Sequence, residues 1–212
     1  MMGRRAGRLQ AGLLALILCG NLGLLSTVSA ADWVHEGQVK EGRLQIGLRG
    51  GLSILSQEIL AGTDGDLGSA LNVQAMYGLN KWFSVGLMVD WERRSIDTET
   101  PNQDLGRLDT VSLLPTLEFR PGRFGNAMPY LSTGIGINFN SFSEAAGTPK
   151  TDVSNTFAFR LAGGVDFPLT SNMALNTEVA WKRNRGRIEV GGAEGNFDAT
   201  SMSLLVGLRY TF

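Results

Sequence analysis

Met202, Leu204, Val206, Leu208, Tyr210 and Phe212 take every second position at the end of the chain, opposite Ser201, Ser203, Leu205, Gly207, Arg209 and Thr211. A period of two marks a strand whose faces meet different surroundings. The same alternation recurs over 44–54, 71–77, 83–92, 111–120, 129–140, 157–169 and 173–182, which makes eight strands. Short links at 78–81, 121–126 and 168–172 alternate with longer polar ones at 56–68, 97–106, 144–154 and 189–196. Short turns at one end and long loops at the other are the plan of an outer-membrane barrel.

Alternation alone also fits a soluble lipocalin-like barrel with its apolar face inward, and volume separates the two. The apolar face carries roughly five side chains per strand, many of them Phe, Trp, Tyr or Leu, whereas an eight-stranded interior accommodates only modest side chains. The Gly, Ala, Ser, Thr and Asn face fits inside. The aromatics also sort to the strand ends. Tyr77, Phe83, Phe119, Phe167, Tyr210 and Phe212 lie near the short turns, and Trp91, Phe139, Phe157, Phe159 and Trp181 near the long loops. Phe157 and Phe167 are ten positions apart, which on a tilted strand rising roughly 2.5 Å per residue separates two girdles by about 25 Å. The expected fold is all-β, an eight-stranded antiparallel transmembrane up-and-down β-barrel.

Composition agrees with that reading. Charged residues make up 18% of the chain and glycine 28 of 212 residues, against typical values of roughly 25% and 7%. Mean hydropathy near zero averages a lipid face, a polar lumen and wet loops. A sequence pI of about 5.9 lacks the basic footprint of a nucleic-acid binder, so no nucleic-acid partner is expected.

Arg4, Arg5 and Arg8 precede an apolar run over 11–25 and then a small-residue stretch over 26–31. This reads as a secretory signal peptide over 1–30, cleaved after Ala30 or Ala31, ahead of a single barrel domain over 31–212. A retained membrane anchor is the alternative, disfavoured by Gly20, Asn21 and Gly23 inside the run. The one cysteine, Cys19, lies in this segment, so disulfide and thiol chemistry are not expected in the mature chain. Three of the 19 basic residues go with the leader, leaving 16 against 20 acidic ones.

Inward positions carry Arg43, Arg49, Arg120, Arg160, Lys182 and Arg209 against Asp90, Glu92, Glu118, Asp166 and Glu178. Buried charges must be paired, so near-equal numbers predict a salt-bridged network in the lumen and no passage for large solutes. Inward apolar positions are few: Leu55, Met88, Leu114, Phe142 and Leu205. They either line a greasy path or fill gaps among the salt bridges. Pro115 lies mid-strand on the lipid side without an N–H, so one rung to a neighbouring strand is missing. It reads as a tolerated bulge or as a weak point in the wall.

Enzymatic readings find little support. His35 is the one histidine, lies before the first strand and has no evident acidic or serine partner. No metal-ligand spacing is present, and no cofactor is expected.

The pieces 113–117, Leu-Leu-Pro-Thr-Leu, and 128–138, Met-Pro-Tyr-Leu-Ser-Thr-Gly-Ile-Gly-Ile-Asn, resemble the OmpW family pattern Leu-Pro-Pro-Thr-Leu followed by Arg-Pro-Tyr-x-Gly-x-Gly-x-Asn. Ala162-Gly163-Gly164-Val165-Asp166 is similar to the family's Gly-x-Asp strand, and Gly207-Leu208-Arg209-Tyr210-Thr211-Phe212 to its last strand. Leu114 stands in place of the first proline and Ser132 in place of a glycine. The resemblance implies passive passage of small hydrophobic molecules across the outer membrane, with lateral exit through the wall near Pro115. Phe212, with Tyr210 two before it, resembles the signal read by the outer-membrane assembly machinery. Expected partners are therefore outer-membrane lipid, that machinery and small hydrophobic ligands. The alternative is a structural or receptor barrel with a sealed, salt-bridged lumen.

Overall fold

In the computed structural model the described residues are 39–56, 67–98 and 104–212, together with short strands at Trp33–Val34 and Thr63–Gly65. The leader over 1–30 and His35 lie outside them.

Eight long strands build the wall: β1 Leu44–Leu55, β2 Gly68–Gly78, β3 Phe83–Thr98, β4 Asp104–Phe119, β5 Met128–Glu144, β6 Thr156–Pro168, β7 Met173–Arg183 and β8 Ser201–Thr211. Each pairs antiparallel with its neighbours in sequence, and β8 pairs with β1 along 201–211, which closes the barrel. Closure matters because a sheet edge in hydrocarbon would leave backbone groups without partners.

Burial follows the alternation. Along β2 the pattern is strictly buried then exposed, with Asn72, Gln74 and Met76 inside and Leu71, Val73 and Tyr77 outside. Leu131, Ile135, Ile137, Phe157 and Leu161 are each more than half or nearly half exposed, which is the surface a lipid-facing wall presents. Glycines admit the close strand approaches. A Cβ on Gly136 would run into the carbonyl oxygen of Leu113, and one on Gly207 into that of Leu48.

β3, β4 and β5 run further toward the long-loop end than the apolar pattern of the sequence shows. Above the upper girdle the polarity inverts: Ile96, Leu108, Ile188 and Phe197 point inward and are buried, while Arg93, Arg107, Arg185 and Arg187 are exposed. The outside there is no longer hydrocarbon but headgroups and water, so the greasy side turns in. The segment read as a loop over 189–196 is part of a hairpin, Arg185–Val190 paired with Ala193–Asp198, to which Thr151–Val153 adds a third strand.

Candidate functional site

The lumen is stacked in tiers. Nearest the short turns, Arg209 grips Glu118 through two nitrogens at 2.7 and 3.0 Å. Arg120 bridges Glu118 at 2.8 Å and Asp166 at 2.6 Å. The guanidinium groups of both arginines lie over the Tyr130 ring, at 5.1 and 4.9 Å from its centre. The Tyr130 hydroxyl reaches the next tier, donating to Glu178 at 2.9 Å and accepting from Arg49 at 3.0 Å.

In that middle tier Glu178 accepts from both Arg49 and Arg160. Arg160 also pairs with Asp90 at 2.8 Å, and Arg49 donates to Asn72 and to Gln74. Higher up, Glu92 holds Lys182 at 3.2 Å and Arg94 at 2.8 Å. All eleven of these ionised side chains are buried. Charge is nearly balanced, with six cations against five carboxylates among the described residues, as burial of ions requires.

Arg43 is not part of this network. It precedes β1, is exposed, and donates to the Phe212 carbonyl at 3.2 Å, because the turn at Gly42, with φ of 68°, ends before the wall begins. Arg94, Tyr130, Asn72 and Asn176, which sequence reasoning did not single out, complete it. Their signal was position: each lies on an inward face.

The five inward apolar residues do not form one path. Met88 and Leu114 are buried with Ala158 against the wall. Leu55 and Phe142 pack on a separate cluster at the long-loop end, built from Ile96, Leu108, Ile188, Phe197 and Ala199. Leu205 is buried but belongs to neither. The loop-end cluster encloses a cavity of about 100 Å³ with an almost wholly apolar lining, among it Leu105, Phe142, Val153 and Val190. Between the two apolar zones lies a polar belt. Asn184 donates to Asn140 at 2.8 Å and accepts from Thr156 at 2.6 Å, and Thr110 donates to Asn140 at 2.8 Å.

Beside the inner cluster the β4–β5 ladder is interrupted, although the two strands keep one register across the interruption. β4 and β5 pair continuously from Gly106 opposite Glu144 to Leu113 opposite Ile137, then resume only at Thr116 opposite Gly134. Leu114 and Pro115 are skipped. Pro115 has no N–H to give, and the Leu114 carbonyl is met by the Thr116 hydroxyl at 2.9 Å. On the other side Pro115 keeps its place opposite Leu87 of β3. A second cavity of about 500 Å³ with a mixed lining opens at the short-turn end, against Lys40, Gln45, Asp166 and Arg209 as well as Val39, Met128 and Met173. Among the described residues no cluster of three or more His, Cys, Asp or Glu could hold a metal ion.

The family model of the outer membrane protein beta-barrel domain matches residues 21–212. No curated protein matches the sequence. Among solved structures, outer membrane protein OprG from Pseudomonas aeruginosa is similar with a TM-score of 0.65 at 15% identity, over 82% of this chain and 97% of that one. AlkL, determined in DMPC lipid bilayers, gives 0.55 at 14% identity over 81% and 90%. Neisserial surface protein A gives 0.54 at 16% identity over 80% and 96%. At such identities the likeness is one of fold.

Proposed function

The chain belongs to the outer membrane protein beta-barrel domain family and is an eight-stranded, OmpW-like barrel of the outer membrane, and from that premise we propose that it is a passive conduit for small hydrophobic molecules with a lateral exit at Pro115. The observation that carries this reading is the gap in the β4–β5 ladder at Leu114 and Pro115, directly beside the buried cluster of Met88, Leu114 and Ala158. A transmembrane strand leaves rungs unpaired only at a cost. Here the unpaired stretch coincides with the one apolar zone of the lower lumen among the described residues.

The solute enters the loop-end cavity, where Ile96, Phe142 and Phe197 offer it an apolar surface. Straight passage down the axis is unfavourable, because the tiers from Asp90 to Arg209 fill the lumen with paired charges and an apolar solute satisfies none of them. Parting the belt of Thr110, Asn140 and Asn184 joins the cavity to the inner cluster, and lipid lies beyond the wall at Pro115. Descent into hydrocarbon is favourable by about 0.8 kcal/mol per CH₂.

The rival reading, a sealed structural or receptor barrel, draws on the same charge network. The loop-end cavity favours the conduit, since a sealed barrel has no need to keep an apolar hollow at its loop end. Neither reading gives the chain an enzymatic role. Uptake of a small alkane or a hydrophobic fluorescent probe by cells carrying or lacking the protein tests the proposal. Deletion slows uptake, and Pro115→Ala, which returns an N–H to the ladder, slows it as well. Unchanged uptake in both would sink the conduit reading.

A further inference from the structure

The outward face of β7 ends in Trp181, whose ring meets Phe159 edge-on at 6.1 Å in the upper aromatic girdle. Beyond it the chain passes into the strand Arg185–Val190 and the alternation continues: Asn184 and Ile188 are buried, and Arg183, Arg185 and Arg187 are exposed on the face that Trp181 began. We propose that these three arginines form a ladder that binds the phosphate groups of a phosphorylated glycolipid in the outer leaflet.

Height supports the assignment. Arg183 pairs in register with Phe159, so the ladder starts at the girdle. At roughly 2.5 Å of rise per residue along the membrane normal, Arg187 lies about 10 Å further out. The headgroup layer on one side of a bilayer is about 5–8 Å deep, so the three guanidinium groups traverse it.

Charge supports it as well. The Arg185 Nε pairs with Asp198 at 2.7 Å, while among the described residues Arg183 and Arg187 have no ion-pair partner. Glu189, one step further out on the same face, pairs with neither. On another part of the wall Arg93, stacked over Trp91 at 5.0 Å, is already neutralised by Asp109 at 2.6 Å. Arg107 on β4 is also exposed without an ion-pair partner among the described residues, but it stands alone there, whereas Arg183, Arg185 and Arg187 follow one another at every second position on one face. A planar guanidinium fork takes two oxygens of a phosphate at once. Directly below, Leu161 opposite Trp181, and flanking the ladder, Phe157, both more than half exposed, offer an apolar surface for acyl chains, which a free phosphate ion would not use. This inference rests on the outer-membrane location and not on the transport reading.

The test is lipid retention by the folded, full-length mature protein in phosphatidylcholine nanodiscs, read by native mass spectrometry. The nanodiscs contain diphosphorylated lipid A, the same lipid A dephosphorylated, or diphosphorylated lipid A together with millimolar inorganic phosphate. Wild type retains the diphosphorylated form about tenfold over the dephosphorylated one. R183Q/R185Q/R187Q brings the ratio near one, and R93Q leaves it unchanged. Equal retention of the two glycolipids by wild type overturns the proposal, as does an unaltered ratio in the triple variant. Retention that inorganic phosphate abolishes overturns it too, by showing a free-anion site. Should the triple variant fail to fold, the wild-type comparison still decides.

Discussion

Replacing Glu178 with glutamine removes the one carboxylate that serves both Arg49 and Arg160, without changing the volume of the side chain. Arg160 keeps Asp90 at 2.8 Å. Arg49 is left with neutral partners only, the side chains of Asn72, Gln74, Tyr130 and Asn176, so one buried cation loses its counter-charge. Breaking a buried pair from one side costs about 3–5 kcal/mol, and the Tyr130 hydroxyl keeps an acceptor at position 178 in the amide oxygen. We therefore expect Glu178→Gln to lower the unfolding free energy by about 3 kcal/mol, at the low end of that range. The assay is reversible urea unfolding in phospholipid vesicles, followed by tryptophan fluorescence and by heat-modifiable migration. Removing Arg49 as well, in R49M/E178Q, leaves no orphaned cation and restores part of the loss, a coupling readable from the double-mutant cycle. A loss under about 1 kcal/mol, the scale of a solvent-exposed pair, would refute the reasoning by showing the tier to be wet.

Other perturbations probe the wall and the cavity. Leu161→Arg puts a cation on the lipid face midway between Phe157 and Phe167, and should cost about 2–4 kcal/mol in the same unfolding assay. Gly136→Val drives a side chain into the Leu113 carbonyl on β4. Loss of the heat-modifiable folded band is the expected result. Phe197→Asp sets a charge in the loop-end cavity, and binding of an apolar fluorescent probe to the purified protein should fall at least tenfold while the barrel stays folded.

The eight wall strands and their faces were legible because hydrocarbon imposes one rule on the whole outer surface. A side chain such as Leu131 or Ile135 has to be apolar, and its neighbour Gly134 or Ser132 does not. The long-loop end was harder to read for the same reason. Above the girdle the rule reverses, so Ile188 and Phe197 turn inward while Arg185 and Arg187 turn out, and a search for outward apolar residues sees only a loop over 189–196. Within the lumen, alternation gave the facing of Arg49, Arg160 and Glu178 but not their partners, which depend on strand stagger around the barrel. Tyr130 and Asn72 were passed over because neither is charged, yet both tie the middle tier together. Arg43 has the parity of an inward residue but lies one position before β1, where parity no longer fixes direction. The five inward apolar residues divide between zones because Asn184 and Asn140 close the lumen between them.

Lateral exit stands or falls on whether β4 and β5 separate at Pro115. A Cβ added at Gly134 would lie 3.3 Å from the Cβ of Leu114, close to the roughly 3.5–4.5 Å that a disulfide spans, and Cys19 is the one native cysteine. Uptake of a small hydrophobic probe is therefore to be measured for L114C/G134C, oxidised and then reduced, in the same vesicles. The account predicts uptake near the protein-free background when the staple is closed and recovery on reduction. Equal uptake in the two redox states would contradict it.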